Sequence, residues 1–353
     1  MIEKDSLQHV KLYFDQSFFP EGYVFDLFLR STDGSIQINS EATDYFTIVE
    51  KPEDADLIFI PVPLSELVKN QIGREKIKSH VQIGRAFNKK VFVVSDADLI
   101  FNPGFDDVII LTPGAYKSLP NQISIPALLP KDPYIKWVGE VWEPIRDLSR
   151  FSVGFCGQAT SHGLKYLKDR LQYLQLNAKK LLGDKTHLYI PFFFAASERA
   201  KILNHLEKSS LIDTDFLKRE RYKGGGKSED DLMQLESEFF ENINRNLFTV
   251  CIRGFGNYSV RFFQTLAMGR IPVVIESDSL LPFESQLNYD KFIVKVPFEN
   301  RLKADKYIHE FLKDKTLVDL QRIQSECRKV WLDYFRKPSY FKAMNIELRN
   351  YLR

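Results

Sequence analysis

The sequence predicts an α/β protein with parallel sheets, divided into two domains. Short β-branched or aromatic runs alternate with helix-length amphipathic segments, the pattern of βαβ units rather than of a sandwich. A proline-punctuated stretch from Leu119 to Arg150, containing Pro120, Pro126, Pro130, Pro133 and Pro144, interrupts that alternation and marks the domain boundary. The chain has 353 residues, nearer two domains than one at roughly 100–200 residues per domain, and 44% of them are hydrophobic, enough for a sizeable core.

In chain order, Val10–Phe14, Asp56–Val62, Lys90–Ser95 and Asp107–Thr112 read as strands of the first domain, with one helical stretch, Leu64–Phe87, between the second and third. After the boundary the strand Phe151–Gly157 restarts the alternation and leads into a helix from Gly163. A middle stretch of weaker signals follows, then strand Leu247–Ile252, helix Ser259–Met268 and strand Ile271–Glu276. Tyr222–Asp231, with three consecutive glycines, is expected to be a mobile loop. The tail Leu302–Arg353 reads as helical, with Phe311, Leu312, Leu317, Trp331, Tyr334 and Phe335 available for burial. There is no internal repeat.

Charge and composition exclude several classes. Forty-nine basic against 47 acidic residues leave +2, too little for an electrostatic footprint on nucleic acid or on an anionic membrane, so any charged partner is met locally. Cys156, Cys251 and Cys327 are odd in number, far apart and without metal-ligand spacing, so they read as reduced, buried thiols. The N-terminal residues lack the apolar core of a leader, and no apolar run reaches about 18 residues; a soluble, cytoplasmic protein without a transmembrane segment is expected.

The chemistry concentrates in Val250–Val274. An apolar strand runs into Arg253-Gly254-Phe255-Gly256-Asn257; Asn257 or Ser259 can cap the following helix, and Gly269 stands where a left-handed C-terminal cap is wanted. On that helix Arg261, Gln264, Thr265 and Met268 share one face, while Val260, Phe263, Leu266 and Ala267 share the other, which is expected to pack on the sheet. Arg261 lies in the first turn, where a cation opposes the helix dipole by roughly 0.3–1 kcal/mol unless an anion compensates it. Free amide N–H groups, two glycines and two guanidinium forks suit a diphosphate. The alternative is that Arg261 pairs with a surface carboxylate and Arg253 with a helix end.

Residues 244–284 resemble the signature region of exostosin-type glycosyltransferases. The elements, in order, are Arg253-Gly254 after a strand, Ser259-Val260-Arg261-Phe262 at a helix start, Gly269-Arg270-Ile271-Pro272-Val273, Ser277-Asp278 and Leu281-Pro282-Phe283. Glu53–Val62 is a fainter echo of the family's N-terminal half. The resemblance implies the inverting GT-B type: two Rossmann-like domains facing a cleft, residues 1–140 for a glycan or other hydroxyl acceptor and 150–330 for a nucleotide sugar such as a UDP-sugar, with residues 331–353 returning to the first domain. By position, Arg253 and Arg261 would contact the donor diphosphate, with Gly254 and Ser259 beside them. The segment containing Ser277, Asp278 and Leu281 would border the nucleotide or sugar. Where the family often has a ribose-binding glutamate, this chain has Gln264, which still hydrogen-bonds a hydroxyl but without charge.

Inverting transfer needs a base for the acceptor hydroxyl and positive charge on the leaving diphosphate. Bases are sought after first-domain strands, where ligands of open α/β sheets gather. Asp15, Glu66, Asp96 and Asp98 qualify, and Asp96 is placed first because it follows the longest β-branched run. Asp96 and Asp98 also resemble the Asp-x-Asp metal site of the other large transferase fold, so a single-domain, metal-dependent enzyme is the alternative. The same spacing recurs at Asp54–Asp56 and Asp213–Asp215. With arginines in the metal's role, neither metal nor cofactor is expected. The turn Phe155–Gly163 offers Gly157 and His162 to the donor, although the dinucleotide fingerprint is absent. His9, His80, His187, His205 and His309 read as structural or solvated, and the charge run Phe216–Lys227 as a solvated face. A two-lobed nucleotide-sugar-binding protein without catalysis is the non-enzyme alternative.

Overall fold

The computed structural model describes residues 8–16, 28–32, 35–139, 141–147, 152–160, 163–183, 185–188 and 191–353. The first domain contains β1 (Val10–Tyr13), an antiparallel hairpin of β2 (Leu29–Thr32) and β3 (Ser35–Ile38), then β4 (Phe46–Ile48), β5 (Leu57–Ile60), β6 (Val91–Val94), β7 (Val108–Thr112) and β8 (Gln122–Ser124). Its parallel sheet runs β4-β1-β5-β6-β7-β8. Every residue of β5, β6 and β7 is buried, as expected of parallel strands covered on both faces, and this is why they appear in the sequence as unbroken apolar runs.

The stretch expected as one helix is two, α1 (Leu64–Leu67) and α2 (Gln71–Ala86). Asn70 caps the second by accepting from the Gly73 N–H at 2.9 Å. A Cβ on Gly73 would stand 2.1 Å from the Leu67 carbonyl oxygen, so only glycine lets α2 start against the end of α1.

On α2 the fully buried His80 accepts from the Asp15 N–H at Nε2 (3.3 Å), while Nδ1 lies 2.8 Å from the Lys76 carbonyl. Both bonds are made by a neutral ring, and burial holds its pKa below the usual value, against the upward pull of the Lys76 carbonyl and Asp15. The unfolded state therefore binds the proton more tightly. Stability from this group is complete above the unfolded pKa near 6.5 and is lost progressively as pH falls from there toward the lowered folded value. We expect the urea midpoint to fall between about pH 7.5 and 5.5, and to fall less in His80→Gln.

A short helix, α3 (Pro133–Trp137), lies in the proline-rich stretch. The second domain contains β9 (Ser152–Gln158), α4 (Gly163–Leu181), α5 (Ala195–Leu206), β10 (Asp213–Arg219), α6 (Glu229–Arg245), β11 (Phe248–Cys251), α7 (Val260–Ala267), β12 (Ile271–Ile275) and β13 (Val294–Val296). Its sheet, β10-β9-β11-β12-β13, is also parallel throughout. Two separate parallel sheets do not fit the single-domain fold of the alternative reading. Tyr222–Gly225 forms a 3-10 turn, and Ser228 with Asp231 forms a capping box at the start of α6.

The tail forms α8 (Ala304–Leu312), α9 (Leu317–Val330), a π-helical turn at Trp331–Phe335 and α10 (Lys337–Leu352). Arg328 and Asp132, both nearly buried, pair at 2.6 Å and tie α9 to α3. From the π turn, α10 crosses to the first sheet: Asn345 donates to the carbonyls of Gln8 and Tyr45, and Tyr351 packs edge-on against Phe92. All three cysteines are free and buried, and burial raises each thiol's pKa, that of Cys251 to about 12. Among the described residues no helix is long and apolar enough to cross a membrane.

Gly269 closes α7 at φ 64°, and a Cβ there would meet the Trp142 indole at 2.4 Å. That indole donates to the Met268 carbonyl at 3.0 Å. Gly269→Ala is expected to destabilise by more than the ~1 kcal/mol of a left-handed alanine alone, since Trp142 must also leave its bond. Denaturant midpoints of Gly269→Ala in the presence and absence of Trp142→Ala separate the two contributions.

Candidate active site

In the second sheet the chain moves from β9 outward to β10, then returns past β9 to β11, so strand order reverses between β9 and β11. Helices leave the adjacent strand ends in opposite directions at such a point, opening a crevice where ligands of open α/β sheets bind. A cleft of about 940 Å³ opens there, bordered by Cys156–Gln158 at the end of β9, by Gly254–Arg261 after β11 and by Asp98 of the first domain. That volume suits a ligand larger than a mononucleotide.

The face of α7 turned to this cleft is narrower than the sequence suggested. Val260, Arg261 and Gln264 line it, whereas Thr265 and Met268, expected on the same face, are fully buried. The reason is that α7 lies between its sheet and the C-terminal helices, so most of its circumference is covered. Ser259 takes the N-cap position with extended backbone, but its hydroxyl makes no cap bond. Asn257 does not cap either.

Arg261 donates through one terminal nitrogen to the Cys156 carbonyl at 2.9 Å, and its guanidinium lies 4.2 Å from the centroid of Phe155. Its Nε is buried without a partner, and among the described residues no carboxylate pairs with it. The expectation of a surface carboxylate therefore does not hold. Burial lowers its pKa, but a guanidinium remains charged at neutral pH. By contrast, Arg219 on the same cleft is neutralised by Glu238 at 2.8 Å. Gly157, at φ 151°, is the close-approach point: a Cβ there would meet the Arg261 guanidinium at 2.7 Å. Gly254 borders the same space, as do Gln264 and Ser259.

Arg253 is placed differently. It is buried, with Nε donating to the Gly256 carbonyl at 3.2 Å and a terminal nitrogen to the Phe255 carbonyl at 3.0 Å and the Tyr116 hydroxyl at 3.2 Å. These bonds fold the glycine loop around its own arginine and fasten it to the first domain. Arg253 faces a small cavity of about 30 Å³, shared with Ser259, Ser277 and Leu281, which has room for water rather than a nucleotide.

Asp278 lies on neither cavity. It adopts φ 61°, its carbonyl accepts from Lys117 N–H at 2.9 Å and from Asn257 Nδ2 at 3.2 Å, and its carboxylate accepts from the Ser118 hydroxyl. With the Tyr116–Ser279 bridge and the Leu280 N–H to Ala115 carbonyl bond, this forms a backbone seam between the domains. Asn257, fully buried, spans it by donating also to the Ala115 carbonyl.

Of the acidic candidates, Asp98 is the one on the cleft wall, opposite Gly256, where a Cβ would stand 2.7 Å from its carboxylate oxygen. Asp96 is exposed and outside the lining. Asp15 lies beside His80, and Glu66 pairs with Lys69 at 2.6 Å on the surface. Asp215 of the repeated Asp-x-Asp spacing is held below the usual carboxylate range by Arg245 and Asn246. His162 lies outside the described residues.

Sequence reasoning missed Arg199, on α5, which borders the cleft and donates to the carbonyls of Gln158, Ile252 and Arg253, joining the ends of β9 and β11. It also missed Tyr173, whose hydroxyl donates to the Phe193 carbonyl at 2.9 Å and whose ring packs on Phe255. Neither stands in a motif, and only the crossing of distant segments brings them to the cleft.

Two parallel-sheet domains with a ligand cleft at the strand-order reversal define the GT-B architecture. Residues 190–312 match the Exostosin GT47 domain, from α5 to α8, a stretch that includes Arg199, Arg253, Arg261 and Gln264. Over that stretch the chain is similar to exostosin-type glycosyltransferases. No curated protein gives a match to the chain.

Proposed function

We propose that the protein transfers a glycosyl unit, hexosyl or pentosyl, from a nucleoside-diphosphate sugar to a hydroxyl of a glycan acceptor, with inversion and without a metal. The observation that carries this reading is the uncompensated Arg261 at the N-terminal end of α7, across one cleft from the Asp98 carboxylate. A diphosphate supplies the missing negative charge where the helix dipole also favours it, and a carboxylate on the opposing wall is suited to take the acceptor proton. Gln264, one helical turn from Val260 on the same wall, offers an amide to a donor hydroxyl.

A panel of nucleoside diphosphates and nucleotide sugars tests the donor class by thermal shift. The right ligand at about 100 times its Kd adds ~2.7 kcal/mol of stability. NMR of the product's anomeric centre tests inversion. Turnover in EDTA equal to that with Mn²⁺ is the expected result, because the leaving charge rests on Arg261 and the α7 terminus. Strict Mn²⁺ dependence would overturn the metal-free part of the reading.

A further inference from the structure

Helix α4 presents its apolar stripe to solvent. Tyr173 turns inward, buried against Phe255 and the Phe193 carbonyl at the cleft wall. On the opposite side Leu167, Leu171, Leu174, Ala178 and Leu181 follow one another at i, i+4, i+7, i+11 and i+14, with Leu182 beside the last. All are exposed, Leu181 and Leu182 by 90% and 87%. Such spacing ordinarily marks the side of a helix that packs on a core, and a contiguous exposed stripe of this kind marks a contact surface. The segment that carries it is net positive in sequence. Gly163–Lys185 holds six cations, Lys165, Lys168, Arg170, Lys179, Lys180 and Lys185, against Asp169 and Asp184.

We propose that this face docks the protein on an anionic lipid surface, with the leucines entering the interface and the cations meeting the headgroups. Amphipathic helices that lie in a membrane plane combine a leucine stripe with flanking lysine and arginine in this way. The whole-chain charge of +2 does not oppose this, because the attraction is local to one helix. Pairing with a second copy is disfavoured by the net positive charge of the segment, which two copies would bring together. Since the inward face of α4 forms part of the cleft wall through Gln172 and Tyr173, docking would place the cleft beside the bilayer surface. An acceptor carried on a lipid would then meet the enzyme in two dimensions. That last clause rests on the transferase reading; the docking itself does not.

Vesicle co-sedimentation tests it, using phosphatidylcholine alone and with about one third phosphatidylglycerol. The expected result is binding to the anionic vesicles only, weakened by salt, and abolished in Leu171→Glu/Leu181→Glu/Leu182→Glu with an unchanged melting point. Lys179→Glu/Lys180→Glu should weaken binding by at least about fivefold per cation removed, and it keeps the test open if the leucine variant fails to fold. Absence of binding to either vesicle, or undiminished binding by a folded leucine variant, would overturn the proposal. So would a concentration-dependent dimer that the leucine substitutions dissociate, which would assign the face to a second copy. Nucleotide thermal shifts on the same variants are expected to be unchanged, so loss of docking and failure of the donor-site reading are told apart.

Discussion

Arg261→Ala is expected to weaken nucleoside-diphosphate binding by about 2–5 kcal/mol, from roughly thirtyfold to several thousandfold in Kd, the cost of leaving a largely desolvated anion without its charged partner. The same substitution is expected to leave the ligand-free protein equally stable or more stable. Its guanidinium donates to the Cys156 carbonyl, has a buried Nε without a partner and lies over an aromatic ring, so removing it eliminates an uncompensated charge rather than an ion pair. Affinity lost while stability is kept is the signature of a residue placed for a ligand. Calorimetric titration with UDP alongside urea unfolding reads both quantities; unchanged affinity with a large fall in stability would make Arg261 structural. Arg253→Ala is expected to lower both together, because its bonds to the Gly256 and Phe255 carbonyls and to Tyr116 hold the loop and the domain seam.

Asp98→Asn is expected to reduce turnover by about 10²–10⁴ while leaving donor affinity nearly intact, the range that proton transfer by a positioned base contributes. Asparagine is close to aspartate in shape and keeps a hydrogen-bonding head, so the contact with Gly256 survives while the proton acceptor does not. Asp96→Asn is expected to be close to neutral, since Asp96 does not reach the cleft. A single-turnover assay with saturating donor separates the chemical step from binding. Full activity in Asp98→Asn would remove it as the base. Loss of donor affinity in both variants, together with metal dependence, would instead assign the pair to metal binding.

The elements legible in the sequence were those whose signal is local. β5, β6, β7, β11 and β12 are buried on both faces, so burial itself wrote unbroken apolar runs into the chain. The edge strand β10 was not legible because it is partly exposed along its whole length and carries Asp213, Asp215, Lys218 and Arg219, which resemble a solvated charge run. The split between α1 and α2 rests on the Asn70 cap and on the close approach of Gly73 to Leu67, which helical periodicity does not record.

At the candidate site, the sequence by itself determined a strand, glycine loop and helix with an arginine in its first turn, and the left-handed stop at Gly269, because capping and helix-dipole effects act within a few residues. Only the tertiary structure decided which arginine is free to meet an anion. Arg253 and Arg261 are equivalent as letters, but one is enclosed by its own loop and by Tyr116, 137 residues away, while the other has no carboxylate partner among the described residues. The choice of Asp98 over Asp96 has the same origin. Two residues apart after one strand, they differ by which one reaches the opposite domain, and that is fixed by the seam through Asn257 and Asp278, whose bonds join segments more than 140 residues apart.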